Sequence, residues 1–111
     1  MSEYQGWTNY ETWNVALWID NDRGTYEMVK EWASEVWEEA ERDGYSPYLN
    51  REQRATYLLA EQIKELVKDG NPLLDRNASM YTDLLIGAIS EVNWSEIAKS
   101  RIEEVEKEVT P

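Results

Sequence analysis

Residues 24–43 read Gly24-Thr25-Tyr26-Glu27-Met28-Val29-Lys30-Glu31-Trp32-Ala33-Ser34-Glu35-Val36-Trp37-Glu38-Glu39-Ala40-Glu41-Arg42-Asp43. At about 100° per residue, the apolar side chains of this stretch fall on one side, as in a helix that lies on a core. These residues are Tyr26, Val29, Ala33, Val36, Trp37 and Ala40. We therefore predict an α-helix over 24–43 that buries this side, with Gly44 as its C-terminal stop.

Helical spacing recurs along the rest of the chain, and no stretch keeps the alternation of a strand for long. Capping residues mark the helix starts: Thr8 with Glu11 precedes the first helix, Asn50 the third, and Asn93 with Glu96 the fifth. The length of 111 residues argues for one domain. The sequence therefore predicts an all-α, compact single-domain bundle of about five helices, over 9–20, 24–43, 51–68, 78–91 and 94–108.

The first predicted helix is apolar on nearly all sides. Its apolar residues are Tyr10, Trp13, Val15, Leu17, Trp18 and Ile19. A helix of this kind is normally buried in the middle of a fold, so we expect a central core helix. The alternative is a second apolar side that docks a partner or a second copy of the chain, with tryptophan and tyrosine as its anchors.

The last three predicted helices also carry apolar residues at core spacing. We expect the third to bury Ala55, Leu58, Leu59, Ile63, Leu66 and Val67, the fourth to bury Tyr81, Leu84, Leu85, Ala88, Ile89 and Val92, and the fifth to bury Trp94, Ala98, Ile102 and Val105. Gly87, inside the fourth helix, costs about 1 kcal/mol of stability relative to alanine. Either a close helix crossing or ordinary tolerance of glycine accounts for it.

Composition excludes several classes of protein. The chain has 23 acidic and 11 basic residues, a net charge of −12, no cysteine and no histidine. Disulfides, zinc–cysteine sites and histidine-based catalysis are therefore excluded. The acidic excess disfavours direct binding to nucleic acid and to anionic membranes. The chain has neither a signal peptide nor an apolar run of roughly 20 residues, so we expect a cytoplasmic protein.

A band of acidic residues lies opposite the apolar side of the predicted helix 24–43. Glu27, Glu31 and Glu35 follow one another at a rise of about 6 Å, although like charges four residues apart destabilise a helix by about 0.2–0.5 kcal/mol per pair. Two interpretations stay open: a solvated surface, or carboxylates that stand in for nucleic-acid phosphates. The candidate partner-binding residues are Glu27, Glu31, Glu35, Glu38, Glu39, Glu41, Asp20, Asp22, Trp32 and Met28.

Residues 7–22 read Trp7-Thr8-Asn9-Tyr10-Glu11-Thr12-Trp13-Asn14-Val15-Ala16-Leu17-Trp18-Ile19-Asp20-Asn21-Asp22. This segment resembles the opening of small proteins carried by phages, plasmids and some bacteria and archaea. Their shared motif is Asn-Tyr-Glu-Thr-Trp, followed by an aliphatic-tryptophan run and an Asn-Asp pair. The resemblance implies a mobile-element origin and carries over no catalytic residue.

From charge and this resemblance we expect a non-catalytic binding protein, without cofactor or metal, that inhibits a host nucleic-acid-processing defence system. Anti-CRISPR or anti-restriction activity would come from charge mimicry, because host channels that bind nucleic acid are lined with lysine and arginine. The expected partner is the basic surface of a host nucleic-acid-binding protein or complex, with no direct contact to nucleic acid or membrane. The chain would act as a monomer or a homodimer.

Two alternatives from other functional classes remain. The first is an interaction or scaffold protein that oligomerises through its aromatic surface, insensitive to salt and weakened by Trp18→Ala. The second is a metal-dependent nucleotide hydrolase, in which Glu35, Glu38 and Glu39 bind Mg²⁺ together with an acid such as Asp83.

Overall fold

The computed structural model describes residues 4–42, 49–70 and 79–109. This part of the chain forms five α-helices: α1 (Tyr10–Asn21), α2 (Arg23–Arg42), α3 (Arg51–Asp69), α4 (Met80–Ser90) and α5 (Trp94–Val109). The predicted all-α single-domain bundle is confirmed, and each helix lies within two residues of its predicted bounds. The predicted stop at Gly44 falls outside the described residues.

The core is built where α3, α5 and α2 meet. The principal helix contacts join α3 to α5 and α2 to α3, and α2 also packs on α5. The largest fully buried side chains come from these helices, with one from α1: Leu59, Ile63, Ile97, Ile102, Val29 and Thr12. The first helix packs on α2 and α5 from the outside.

The apolar side of α2 lies in this core, as predicted. Val29, Ala33, Val36, Trp37 and Ala40 are buried, and Tyr26 is half-buried. The start of α3 is tied to the same side, because the Arg51 guanidinium lies over the Trp37 ring at 4.0 Å from its centroid. Arg51 Nε also donates a hydrogen bond to the Trp37 carbonyl oxygen at 3.0 Å. The orientation of α2 about its own axis is thereby fixed.

The prediction that α1 is a central helix is wrong. Trp18 is 67% exposed and Tyr10 is 51% exposed, whereas the buried residues of α1 are Thr12, Ala16 and Ile19. The reason is that α2 and α5 cover one side of the helix, and no other described helix covers the opposite side. An apolar side chain shows that a side of a helix can be buried, but the arrangement of neighbouring helices decides whether it is.

A tight turn before α1 places an aromatic ring on that helix. Gln5 and Gly6 both have positive φ, at 51° and 88°, and Tyr4 and Trp7 exchange two backbone hydrogen bonds of 2.7 and 2.8 Å. Positive φ at both central residues is typical of a type I′ hairpin turn. The turn brings the Tyr4 ring within 5.3 Å of Tyr10 and 5.0 Å of Trp13, measured between ring centroids.

The N-cap of α1 is Asn9, one residue after the predicted Thr8. Asn9 Oδ1 accepts hydrogen bonds from the backbone N–H of Thr12 at 2.9 Å and from its hydroxyl at 2.6 Å. The predicted capping partner, Glu11, is replaced by a residue from another helix. The Thr8 backbone N–H donates to Glu96 Oε1 on α5, at 3.0 Å.

The N-termini of α1 and α5 therefore share their capping residues. Asn93 caps α5 as predicted and accepts from the Glu96 backbone N–H at 3.1 Å. The backbone N–H of Asn93 donates to Thr12 Oγ1 at 2.8 Å, and Asn9 Nδ2 donates to the Glu91 carbonyl oxygen at 2.7 Å. Glu96 does not complete the predicted local capping box, because its carboxylate binds Thr8 instead. At α3 the predicted cap Asn50 is confirmed.

The prediction that α4 buries Tyr81 and Leu84 is also wrong. Their exposed fractions are 69% and 65%, and the buried residue of this helix is Thr82. Leu85, Ala88 and Ile89 are half-buried, and Val92, beyond the helix, is buried. The principal helix contacts join the other four helices, so α4 has little to pack against within the described part of the chain.

None of these helices, within the described residues, combines the length and the apolar character that a membrane span requires.

The shared caps give a prediction for stability. Thr12 is fully buried, and Thr12→Val keeps its shape but leaves the Asn93 N–H without its acceptor. We expect the free energy of unfolding to fall by about 1 kcal/mol, the typical net contribution of one hydrogen bond. Urea denaturation followed by circular dichroism measures it. The matched control is Thr8→Val at an exposed position, and an equal loss in both variants would contradict the role of the Thr12 hydroxyl.

Candidate functional site

The acidic side of α2 points away from the protein. The glutamates along it are all exposed: Glu27, Glu31, Glu35, Glu38, Glu39 and Glu41. They lie outward because the opposite side of the same helix, around Val29 and Val36, is buried in the core. Met28 and Trp32 lie beside them and are half-buried, and Trp32 packs against the core.

The two ends of this acidic side are paired with cations, and its middle is not. Glu27 Oε1 lies 3.3 Å from Arg23 Nε, and Glu41 Oε2 lies 3.2 Å from Arg51 Nη2. Lys30 is turned toward α5, where its Nζ lies 3.8 Å from Glu108 Oε1. Among the described side chains, no lysine or arginine forms an ion pair with the four remaining glutamates. We call them the acidic row: Glu31, Glu35, Glu38 and Glu39.

Asp20 and Asp22, which the sequence analysis grouped with these glutamates, are engaged in the fold. Asp20 Oδ1 accepts from Arg101 Nη2 at 2.7 Å, and the Arg101 side chain is only 9% exposed. Asp22 accepts a hydrogen bond from the Thr25 hydroxyl, and its carbonyl oxygen accepts from the Tyr26 N–H at 2.8 Å. These two aspartates hold the end of α1 and the start of α2 and contribute less free charge than the acidic row.

Sequence reasoning missed Arg101. A basic residue that interrupts the apolar spacing of Ala98, Ile102 and Val105 could have been noticed as a cation on the core side of α5. Its partner could not, because Asp20 comes from a distant part of the chain. Near-complete burial of a guanidinium requires an anion, which explains why Asp20 turns toward α5.

A shallow depression lies beside the acidic row. It has a volume of about 440 Å³ and is lined by Glu35, Val36, Glu38, Glu39 and Gln62. A second depression of about 480 Å³ is lined by Glu52, Glu103, Glu106 and Lys107. Carboxylates therefore dominate both surfaces, which attract cationic groups and repel phosphates.

The hydrolase alternative gains no support from this geometry. It would require Glu35, Glu38 and Glu39 to converge with an acid such as Asp83 around one Mg²⁺ ion. Within the described residues, no group of three or more acidic side chains is arranged to hold a metal ion. Carboxylates that stand outward along one helix can bind cationic groups of a partner, but they do not surround a small ion.

Tyr57 of α3 is an exposed aromatic residue that the sequence analysis did not single out. It is 60% exposed and lies beside a depression of about 550 Å³ between α3 and the junction of α4 with α5. Its sequence position gives no signal, because the apolar spacing of α3 does not include it. Together with Trp18, it shows that aromatic surface is available away from the acidic row.

The comparison with protein families covers nearly the whole chain, since the match spans residues 1–109. The chain belongs to DUF7249, a family of unknown function. No curated protein and no solved structure matches it. In this DUF7249 chain, several residues of the 7–22 segment have structural roles: Asn9 caps α1, Thr12 accepts from the Asn93 N–H, and Tyr10 and Trp13 form the aromatic cluster with Tyr4. The segment therefore explains the fold more directly than it explains a function.

If the acidic row is unneutralised, reversing one of its charges should stabilise the protein. Glu31→Lys converts the i,i+4 repulsions with Glu27 and Glu35 into attractions. At about 0.2–0.5 kcal/mol per pair, we expect a gain of about 1 kcal/mol in the free energy of unfolding at low salt. Urea denaturation measures the gain, which should shrink in high salt.

The matched control for this prediction is Glu27→Lys on the same helix. It relieves the repulsion with Glu31 but breaks the ion pair with Arg23, so its net effect should be close to zero. A Glu31→Lys variant no more stable than this control would show that Glu31 is already neutralised in solution.

Proposed function

We propose that this chain is a non-catalytic acidic binding protein of mobile-element origin that inhibits a host nucleic-acid-processing defence system. Anti-CRISPR or anti-restriction activity would arise because the acidic row occupies a basic surface that normally binds phosphates. One observation supports this proposal: Glu31, Glu35, Glu38 and Glu39 are exposed and form no ion pair with the described cations.

The rigidity of α2 makes its carboxylates suitable for binding a partner. The helix is held by the buried side chains of Val29, Val36 and Trp37, so the backbone that carries the row does not have to be ordered when it binds. The steps from Glu31 to Glu35, and from Glu35 to Glu38 or Glu39, are three or four residues and place these carboxylates about 4.5–6 Å apart along the helix axis. Such an array resembles a line of phosphates in its charge.

The net charge of −12 adds a long-range component to this binding. A strongly negative protein is steered toward a positively charged groove, which raises the association rate at low ionic strength. The partner would be a host protein or complex whose nucleic-acid channel is lined with lysine and arginine, and the site of action would be the host cytoplasm. Binding should weaken as salt is added, because exposed charges are screened.

Charge reversal along the row tests the proposal. We expect the triple variant Glu31→Lys, Glu35→Lys, Glu38→Lys to lose its affinity for the host partner, because a basic surface would then meet three lysines. The partner is first recovered from a host lysate on the immobilised wild-type chain, eluted with salt and identified. Its affinity for each purified variant is then measured by calorimetry.

The matched control carries the same change in net charge on other helices: Glu61→Lys, Glu65→Lys, Glu103→Lys. All three residues are exposed, and circular dichroism checks that both triple variants fold. We expect the control to keep most of the affinity. Equal losses in the two variants would mean that affinity follows net charge alone, and unchanged affinity in the α2 variant would overturn the proposal.

A second candidate function, assembly through aromatic side chains, is favoured by the exposure of Trp18. This ring is 67% exposed, and exposed tryptophans are frequent anchors of protein interfaces. Such an assembly would be insensitive to salt and would be weakened by Trp18→Ala. Light scattering at low and high salt distinguishes it from charge mimicry, which requires a partner and low salt.

A further inference from the structure

The outer side of α4 is an apolar stripe that the rest of the described chain leaves uncovered. We define the α4 stripe as Met80, Tyr81, Leu84 and Gly87. The first three are 65%, 69% and 65% exposed, and Gly87 is also exposed. Their positions, i, i+1, i+4 and i+7, place them on one side of the helix, as in a helix that packs on another helix.

This stripe is unusual for its lack of charge. The helix Met80–Ser90 contains one charged residue, Asp83, in a chain whose net charge is −12. The surface of α2 is dominated by carboxylates, and the two acidic depressions described above carry more of them. A second copy of the same chain is repelled by those surfaces, whereas none of the four residues of the α4 stripe is charged.

Gly87 adds a second reason to place a helix against this stripe. A Cβ atom built on Gly87 meets nothing within 4 Å, so no close helix crossing inside the described fold requires glycine there. A glycine in the interior of a helix lowers its stability relative to alanine. A missing side chain allows two helix backbones to approach closely, and Gly87 lies on the same side as Leu84.

We propose that α4 pairs with α4 of a second copy of this chain, around a two-fold axis that passes between Leu84 and Gly87. In a two-fold interface each residue set faces itself, so an apolar and nearly neutral stripe is self-complementary. A basic partner would be attracted to the acidic surfaces and would gain no electrostatic attraction at this stripe. The inference does not depend on the proposed function.

The two α4 helices run antiparallel in this pair. Glu91 follows Ser90 on the side of the stripe, and a parallel pair would bring the two Glu91 carboxylates together. In an antiparallel pair they lie at opposite ends, about 16 Å apart by the rise per residue, which exceeds the screening length of about 8 Å at physiological salt. The dipoles of the two helices also attract each other in the antiparallel arrangement.

The size of the stripe sets the strength of the dimer. A helix of three turns is about 16 Å long and about 10 Å wide, so its face covers roughly 160 Å², much less than the roughly 800 Å² per partner of a standard interface. We therefore expect a weak, reversible dimer that forms only at high protein concentration. Because the contact is apolar and the rest of each copy repels the other, added salt should strengthen the dimer, the opposite of its effect on binding through the acidic row.

Sedimentation analysis of the full chain over a range of concentrations, at low and high salt, tests this proposal. We expect a monomer–dimer equilibrium that shifts toward dimer in high salt. Leu84→Glu should weaken the dimer by at least about tenfold, because it places two like charges in the centre of an apolar contact. Leu49→Glu is the matched control, since Leu49 is an exposed leucine outside α4, and it should leave the equilibrium unchanged.

Gly87→Ala keeps the test valid if Leu84→Glu does not fold. Its methyl group meets nothing in the monomer within 4 Å, so the variant should fold at least as well as wild type and still dimerise several-fold more weakly. A dimer lost in Trp18→Ala but kept in Leu84→Glu would overturn the proposal and place the interface on α1. A monomer at all concentrations would overturn it as well.

Discussion

The burial of one side of α2 against α3 and α5 is the constraint on which the rest of this structure depends. Val29, Val36 and Trp37 hold that side in the core, and Arg51 locks the helix by lying over Trp37. Because this side is fixed in the core, the glutamates on the opposite side of the helix face the solvent. The electrostatic cost of placing like charges four residues apart is small beside the gain from burying a helix face.

The start of α1 is organised by a different interaction, the exchange of capping groups with α5. Thr12 and Asn93 are joined by a hydrogen bond, and Glu96 satisfies the backbone of Thr8. Each helix N-terminus leaves backbone donors without partners, and here each of the two termini supplies a hydrogen-bond acceptor to the other. Asn9, Thr12, Tyr10 and Trp13 of the 7–22 segment are accounted for by these bonds and by the aromatic cluster, whereas its Trp18 is exposed.

Two surfaces of opposite character result. The acidic row attracts cationic groups and is governed by charge, whereas the α4 stripe is apolar and nearly neutral. Salt weakens contacts made by the first and strengthens self-association through the second. The two surfaces lie on different helices, so a dimer through α4 leaves the carboxylates of α2 available and presents two copies of the acidic row.

The sequence by itself determined the helices and the two sides of α2. Periodicity and capping residues are local features, so the bounds of all five helices and the cap Asn50 could be read from the residues around them. Tertiary structure alone decided which apolar sides have a neighbour. Trp18, Tyr81 and Leu84 fit a core pattern but are exposed, because periodicity shows that a side is apolar and not whether another helix covers it.

The ion pairs could not be predicted from local sequence patterns either. Asp20 belongs with Arg101, and Glu41 with Arg51, because packing brings α1 to α5 and α2 to α3. The sequence showed a band of acids, and the fold separated those that hold the structure from those that stay free. Helix formation depends on neighbours along the chain, whereas ion pairs and burial depend on neighbours in space.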